Sequence, residues 1–435
     1  MSKLAVFIFV LFLAVLALFA IHNQEVAIVN IPFGKAYETP TIALILLSVA
    51  IGALAMLVLF VLRDTKRYVD NIQYQKRQKK KAKVQELYSK ALNYLSAHHD
   101  PSKSKELLKE VLTEDPEHLS ALLQLGDIAF SEDDLQKARE HYQRAKDLNP
   151  RNIEVLFSLE RLMEKTGRWS DALRCTEDVL ELDDKNLSAL YKKRDILEKQ
   201  EKWNDIVFVQ KAILKNEHAE QDRNRERQNL VGYKYEYGRY SLENGDLEKA
   251  KKAFRTVLRL EKDFIPATLG LAEVLLREGE AEEAINLLEK TYEQTSSMIV
   301  LLRLEDLLIS VNEPLRLIRI YKNNIVKNPQ DPMIKFLLGR LYYRLEMIDD
   351  AFEIMTSIDT GGATYPEMHQ LMGNLYLKRN QVDRAVQEFK KALESNKHAG
   401  LFYRCIKCKR TASEWSGRCS NCKNWSTYQV NLSTR

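Results

Sequence analysis

Four of the five cysteines lie close together near the end of the 435-residue sequence, at Cys405, Cys408, Cys419 and Cys422. They form two C-x2-C pairs, and two intervening residues let both thiolates of a pair bind one ion. Two such pairs complete a tetrahedral sulfur site. Because four thiolates close the coordination shell, no position is left for a substrate. The spacing therefore predicts one structural metal ion, with zinc favoured over iron.

Other uses of paired cysteines fit this sequence poorly. A thioredoxin-type redox pair requires a βαβ context, and c-type haem attachment requires histidine where lysine follows both pairs. A segment this short cannot fold around its own core, so the ion must supply roughly 10 kcal/mol of folding free energy. We expect the surrounding aromatic residues to shield the ion or to dock the module on the last repeat. These residues are Phe402, Tyr403, Trp415 and Trp425.

The elements that precede this module follow a repeat of 34 residues, the tetratricopeptide pattern of two antiparallel helices per unit. The clearest unit has Gly126 at its eighth position and Ala138 at its twentieth, where small residues let the helices approach closely. Pro150 follows the second helix, because proline cannot continue a helix. Low counts of glycine (15) and proline (10) also favour helices. The frame predicts nine units, starting near residues 85, 119, 153, 187, 231, 265, 298, 332 and 366.

The fourth unit departs from this pattern. It has Arg194 at the eighth position and Ile206 at the twentieth, where small residues are usual. The interval before the fifth unit is also longer than the others, and the excess coincides with the polar stretch Glu217–Asn229. This stretch is either an extension of a helix or a loop between repeats.

Repeat arrays of this kind bind ligands along a concave face built mainly from the first helix of each unit. Aromatic and arginine side chains on that helix combine apolar area with directional hydrogen bonds, as peptide-binding grooves do. The candidate partner-binding residues are Phe157, Arg161, Tyr235, Arg239, Phe336, Arg340 and Tyr343. The alternative is that several of them only pack between units.

Two apolar runs near the start, from Leu4 to Ile21 and from Thr41 to Leu62, contain no charged residue. Each reaches the roughly 20 residues that a helix needs to cross a bilayer, so we predict two spans. A cleavable signal peptide is the alternative for the first run. Its apolar core would be only roughly 7 to 15 residues long, and the run lacks a good cleavage site.

Basic residues set the predicted orientation. The loop between the two runs has one lysine, Lys35, whereas lysine and arginine are abundant from Arg63 to Lys83. Because cytoplasmic flanks carry the excess of basic residues, the N-terminus and everything after residue 62 are expected in the cytoplasm. That compartment disfavours disulfides, in agreement with a metal site. The basic segment could also contact anionic membrane lipid.

The sequence thus predicts an all-α chain in four parts. A two-span anchor occupies residues 1–62, and a basic linker occupies residues 63–84. A tetratricopeptide-repeat superhelix follows over 85–398, and a rubredoxin-like or zinc-ribbon module over 399–435. The formal net charge of +5 is too small for a chain of this length to indicate nucleic acid as a ligand.

Together these features resemble the family of lipopolysaccharide assembly protein B, in which tetratricopeptide repeats precede a rubredoxin-like domain. The resemblance covers about residues 63–435, and its most specific part is Tyr403–Cys422. Residues 1–62 resemble the family of lipopolysaccharide assembly protein A, so the chain is similar to a fusion of the two. It departs from the family at Lys409, where glycine is usual, and at Ser420, where proline is common.

The resemblance implies an adaptor at the bacterial inner membrane that regulates lipopolysaccharide biosynthesis and assembly. Its expected partners are the lipid A pathway deacetylase, a membrane-bound AAA protease and lipopolysaccharide assembly factors, and a homo-oligomer is compatible with it. Two alternatives stay open: a scaffold for another envelope complex, and nucleic-acid binding through the basic residues of the metal module.

Catalysis is not expected. The eight histidines form no pair with metal-binding spacing, and the sequence has no nucleophile motif or glycine-rich loop. The stretch Glu414–Cys419 also resembles the zinc finger of a bacterial recombination ATPase. That enzyme requires a G-x-x-x-x-G-K-[ST] phosphate loop, which this sequence lacks.

Overall fold

The computed structural model describes residues 3–23, 25–29, 36–97, 99–359, 365–394 and 402–431. Helices dominate these residues, as the sequence predicts, and strands are confined to two small sheets. The chain divides into two compact units, Met1–Asn149 and Pro150–Arg435.

The first unit begins with apolar helices and ends with repeat helices. Its helices are α1 (Lys3–His22), α2 (Thr41–Ser96), α3 (Pro101–Glu114), α4 (Leu119–Ser131) and α5 (Leu135–Leu148). Strands β1 (Val26–Val29) and β2 (Tyr37–Pro40) form an antiparallel pair between α1 and α2. The end of α2, together with α3 and α4, buries an apolar core that includes Ala91, Leu108 and Leu125.

One helix in the described part of the chain is long and apolar enough to cross a membrane. It covers Thr41–Thr65 at the start of α2, with a mean hydropathy of 3.0, and none of its most apolar stretch is buried in the protein. This length and composition agree with the second predicted span. In α1, the apolar helical segment is Val10–His22, which is shorter than the roughly 20 residues that cross a bilayer. The first span therefore stays a prediction.

The second unit is a series of helix pairs followed by a small sheet. Its helices are α6 (Ile153–Lys165), α7 (Trp169–Leu182), α8 (Leu187–Lys199), α9 (Trp203–Asn216), α10 (Glu220–Glu243), α11 (Leu247–Leu260), α12 (Ile265–Arg277), α13 (Ala281–Thr295), α14 (Met298–Ser310), α15 (Pro314–Lys327), α16 (Pro332–Arg344), α17 (Ile348–Thr356), α18 (Pro366–Lys378) and α19 (Val382–Glu394). Helices begin at most of the predicted unit starts, namely 119, 153, 187, 265, 298, 332 and 366.

Local capping explains several of these helix starts. Asn152, Asn186 and Asp331 each precede a first helix, and their side-chain oxygens accept backbone N–H groups of its first turn. Such caps satisfy donors that have no partner inside the helix. The short polar side chains between units therefore determine where each pair begins.

The polar stretch before the fifth unit extends a helix rather than forming a loop. Helix α10 begins at Glu220, eleven residues before the predicted start at 231, and continues without a break to Glu243. Glu226 in this extension is buried and accepts hydrogen bonds from Arg194 (2.9 Å) and Gln210 (2.7 Å). The extra residues thus supply the partner for the arginine that makes the fourth unit unusual.

A three-stranded antiparallel sheet follows the helices of the second unit. It consists of β3 (Phe402–Cys405), β4 (Thr411–Ala412) and β5 (Tyr428–Asn431), in the order β4-β3-β5. The four clustered cysteines lie on and between these strands.

Candidate metal centre

The four thiols converge as a tetrahedral metal site requires. All four Sγ atoms lie within 4.8 Å of one another. Cys405 and Cys422 are 3.7 Å apart, and Cys408 and Cys419 are 3.6 Å apart. Four sulfur atoms about 2.3 Å from a zinc ion would lie about 3.8 Å from each other. The residues therefore fit one metal ion held by four thiolates. Such an ion would cross-link the first loop, which contains Cys405 and Cys408, to the second loop, which contains Cys419 and Cys422.

Hydrogen-bond donors around the sulfur atoms of Cys405 and Cys419 favour the thiolate form of these two residues, whereas the pKa of Cys422 is raised. Burial raises the pKa of the Cys405 thiol, but the backbone N–H of Cys408 and the side chain of Thr427 outweigh burial and bring the pKa down to about 6. Burial also opposes ionisation of Cys419, and N–H groups of Cys422 and Asn421 again leave its pKa lowered. Because the thiolate is the metal ligand, these donors prepare the site for an ion.

The two loops share a backbone conformation. Lys409 and Lys423 each follow the second cysteine of a pair, and both have positive φ angles, 64° and 59°. Glycine is the residue that adopts this region without cost. In both loops the chain reverses here, and the N–H of the lysine donates to the carbonyl of Cys405 or Cys419.

The second loop fixes the module on the repeats. Arg418 donates to Glu198 of α8 (2.9 Å), and its guanidinium lies 4.4 Å from the ring centroid of Trp425. The indole N–H of Trp425 donates to Glu236 of α10 (2.9 Å). Two charged hydrogen bonds and one stacked arginine thus hold the loop of Cys419 and Cys422 against two different repeats.

Glycines make room for this contact. A Cβ atom at Gly232 would overlap the ring of Trp425, and a Cβ at Gly417 would overlap the side chain of Tyr235. Tyr233 adds an edge-on contact with Trp425, with ring centroids 5.3 Å apart. The module therefore lies directly on the surface of α10, and substitution of either glycine would separate the two.

The aromatic residues dock the module, but the described contacts are with the middle repeats rather than the last one. Trp415 and Trp425 pack against the core of the repeats, and β5 lies beside α14. The expectation of docking on the last repeat assumed that a module next in sequence to α19 would pack on α19. Side-chain complementarity with Glu198 and Glu236 places it elsewhere.

The structure brings two of the partner-binding candidates to the module. Tyr235 is 5% exposed and is covered by Gly417. Arg239 donates to Glu236 (2.9 Å), the same carboxylate that accepts Trp425. These two side chains therefore support the metal module, and a direct role in partner binding stays a prediction for them.

The other candidates are distributed along the repeats. Phe157 is half-buried beside Leu156 and Val179, and Arg161 is exposed. Phe336 is 4% exposed, Tyr343 is partly buried against the same core, and Arg340 donates to Glu305 (2.9 Å). Arg161 is the most exposed of the seven candidates.

Sequence reasoning missed Glu198, Glu236 and Gly232 as the docking residues. Glu198 and Glu236 belong to no recognisable sequence motif, and glutamate is common on helix surfaces, so nothing in the sequence distinguishes them. Gly232 does carry a signal, since glycine inside a helix costs about 1 kcal/mol relative to alanine and often marks a close approach. Arg418, directly before Cys419, stands out in the sequence only as one of the basic residues of the metal module.

Comparison with known families agrees with the helix pairs. Tetratricopeptide-repeat families match residues 89–153 and 366–398. The middle TPR-like domain of cilia and flagella-associated protein 70 matches residues 217–301. The chain contains tetratricopeptide repeats. These families describe repeat domains and not catalytic ones, and no curated protein matches the chain.

Solved structures that resemble the chain are distant. The structure of Naa15/Naa10 bound to HypK-THB has 13% identity and a TM-score of 0.45, covering 74% of this chain and 60% of that one. MamA has 25% identity over 36% of this chain and 92% of its own, with a TM-score of 0.29. A tetratricopeptide repeat protein from Parabacteroides merdae ATCC 43184 has 17% identity over 73% of this chain and 94% of its own, with a TM-score of 0.26. This chain therefore spans less than two thirds of the first of these proteins.

Proposed function

We propose that this protein is a membrane-anchored scaffold that holds partner proteins on its repeats and metal module, without catalysing a reaction. The observation that carries the proposal is the seating of the module on the repeats through Arg418–Glu198 and Trp425–Glu236. This contact joins repeat surface and metal module into one binding surface. Tetratricopeptide repeats are binding elements, which supports the same role.

The more specific role is regulation of lipopolysaccharide synthesis at the bacterial inner membrane. Here the chain presents the lipid A pathway deacetylase to a membrane-bound AAA protease. This proposal is supported by the resemblance of the repeats and cysteine loops to lipopolysaccharide assembly protein B. The apolar segment Thr41–Thr65 is consistent with an anchor. A tether in the membrane would raise the effective concentration of membrane-bound partners.

Photocrosslinking in native membranes tests this proposal. A photoreactive residue is placed at Arg161 on the first helix of a unit and, in a matched control, at Arg255 on a second helix; both positions are exposed. We expect crosslinks to a membrane-bound AAA protease and to the deacetylase from position 161 and few from position 255. Recovery of neither protein, or equal capture from both positions, contradicts the proposal.

We also propose that the ion is zinc with a structural role. Elemental analysis of the purified full chain is expected to give one zinc per chain. Replacement of Cys408 by serine should reduce that content, whereas replacement of Cys175, which lies in α7, should leave it unchanged. Iron in place of zinc, or metal that survives the Cys408 substitution, would show this assignment to be wrong.

A further inference from the structure

The register of β5 shows which of its backbone groups face away from the sheet. The N–H of Ile406 donates to the carbonyl of Thr427 (2.8 Å), so these two residues form a hydrogen-bonded pair. Hydrogen-bonded and non-hydrogen-bonded pairs alternate along an antiparallel ladder. Because Cys405 is opposite Tyr428 and Tyr403 is opposite Val430, these pairs are non-hydrogen-bonded. The N–H and C=O groups of Tyr428 and Val430 therefore point away from β3.

The opposite side of β3 agrees with this assignment. The N–H of Cys405 points toward the first loop and donates to the carbonyl of Arg410 (2.9 Å). On the outer side of β5, the N–H of Ser426 donates to the carbonyl of Gly417 (2.9 Å), and the edge beyond it has no strand partner among the described residues. The open edge of the sheet thus begins at Tyr428.

This edge lacks the usual protection against strand pairing. Exposed edges commonly carry lysine or proline, which discourage the addition of another strand. The sequence of β5 is Tyr-Gln-Val-Asn, with no charge and no proline. The edge lies instead beside a cleft of about 560 Å³ between the metal module and the repeats. That volume is within the roughly 300–1,000 Å³ of ligand-binding clefts.

The walls of the cleft are mostly apolar and hydroxyl-bearing. The repeats contribute the apolar residues Ile265 and Pro266 from α12 and Met298 and Ile299 from α14, together with the polar stretch 294–297 where α13 ends and α14 begins. The module contributes Trp415 and Val430. Among the lining residues that the structure describes, Asp263 is the one that carries a charge. A ligand matched to these walls is uncharged along most of its length and carries one positive group opposite Asp263.

We propose that this cleft binds an extended segment of a partner protein, which adds to β5 as a fourth strand. Its backbone pairs with Tyr428 and Val430, its alternate apolar side chains face the repeat wall, and a basic residue lies near Asp263. In this binding mode, main-chain hydrogen bonds supply affinity and side-chain pockets supply specificity. The inference rests on the proposed scaffold function, and it names the chemical class of partner segment that the module–repeat interface takes.

Val430 offers a selective test, because proline there removes an outward N–H and leaves the ladder with β3 intact. Displayed eight-residue peptides are selected on the full chain in detergent, and a selected peptide is resynthesised for titration. We expect alternating apolar residues with one lysine or arginine. Val430→Pro should weaken binding about tenfold or more, through a lost hydrogen bond and a blocked edge. Val430→Ala keeps the N–H and removes only part of the apolar wall, so it should weaken binding much less than Val430→Pro.

Two controls keep the result interpretable. Zinc content and thermal melting establish that Val430→Pro retains the folded module, and Asp263→Asn should reduce preference for the basic residue. Slower hydrogen exchange at Tyr428 and Val430 on peptide addition would support strand addition directly. Failure to select any peptide, or equal binding by native chain and Val430→Pro, overturns the proposal. A dimer abolished by Val430→Pro would also overturn it, by assigning the edge to a second copy.

The outcome is separable from that of the crosslinking experiment. Peptide binding is measured on the purified chain, so loss of the cleft proposal leaves crosslinks at position 161 unaffected. Absence of the protease and deacetylase from the crosslinked proteins contradicts the cellular role, whereas it leaves the Val430-dependent peptide titration intact.

Discussion

The repeat that contains Gly126 and the repeat that contains Arg194 differ at the same place, the eighth position of the unit. Gly126 lies under the ring of Tyr142, and a Cβ atom there would overlap that ring. Arg194 instead donates to Glu226, and Gln210 donates to the same carboxylate. In the unit of Gly126, the two helices approach closely because the eighth residue has no side chain. In the unit of Arg194, hydrogen bonds between side chains hold the helices together.

The same division recurs in other units. Glycine at the eighth position faces a large side chain in the pairs Gly238–Phe254, Gly339–Met355 and Gly373–Phe389. Where the eighth residue is Glu305, the residue facing it is Tyr321, whose hydroxyl donates to the carboxylate. Arg340 of the following unit donates to the same carboxylate.

The residue that faces the eighth position is at the twenty-fourth position of the unit, as Tyr142, Gln210 and Tyr321 are. The comparison shows that the residue type at the twenty-fourth position depends on the residue type at the eighth. A bare backbone accepts a bulky ring, whereas a buried charge requires a polar group opposite it and a counter-charge from the next unit. The charged units are therefore coupled to their neighbours through ion pairs, whereas these glycine contacts join the two helices of a single unit.

Removal of one partner of the buried ion pair in a charged unit should have the largest effect on stability. Arg194→Met removes from Glu226, which is 1% exposed, the arginine that lies 2.9 Å from its carboxylate and leaves only the more distant Arg225 at 3.4 Å. Loss of one member of a buried pair costs about 3–5 kcal/mol, and the remaining donors to the carboxylate, Gln210, Arg225 and Asn229, offset part of this. Hydrogen exchange of α9 and α10 should show faster opening, and Arg194→Met with Glu226→Leu should restore most of the protection. A single variant as protected as the native chain would contradict the coupling.

Addition of one methyl group to the glycine kind of unit should have an intermediate effect. Alanine normally stabilises a helix by about 1 kcal/mol relative to glycine, but Gly126→Ala should destabilise α4 and α5 by about 1–3 kcal/mol through overpacking. Gly339→Ala is the matched control. Its nearest neighbour is the flexible side chain of Met355, with Sδ 2.7 Å from the added carbon, so the loss should be smaller. Equal losses in thermal melts would show that ring rigidity does not matter.

A buried acid should give the smallest effect, visible as a pH dependence. Burial raises the pKa of Glu160 and outweighs the attraction of Lys192. Because the pKa of Glu160 is higher in the folded state than in the unfolded state, its contribution to stability is fully present below the unfolded-state pKa. That contribution is lost as the pH rises through the folded-state pKa. Glu160→Gln should therefore gain stability relative to the native chain as pH increases from 4 to 7. Parallel pH profiles of α6 hydrogen exchange in the two proteins would contradict this.

Periodicity allowed most of the helix pairs to be predicted, because each unit repeats the same contacts within 34 residues. The start of α10 could not be predicted, since Glu226 is explained only by Arg194 on another helix pair. The four cysteines could likewise be predicted as one cluster from spacing alone, and their sulfur atoms converge. The helix pairs and the cysteine cluster could thus be predicted because contacts between residues close in sequence determine them.

The position of the module could not be predicted in the same way. It depends on Arg418 and Trp425 meeting two glutamates far away in the sequence, and single carboxylates on helices are too common to indicate a partner. The contact of Tyr235 with the module could not be predicted for the same reason. Its place on the first helix suggested a partner surface, and only the structure shows that Gly417 covers it.

The Arg418–Glu198 pair joins residues 220 positions apart in the chain. Successive helix pairs are able to form as they leave the ribosome, since each contacts mainly its neighbours, whereas this pair must wait until the module has been synthesised and has folded. A prematurely terminated chain would therefore display α10 with Tyr233 and Tyr235 uncovered. Folding of the module thus closes an aromatic surface of α10 that the repeats alone leave open.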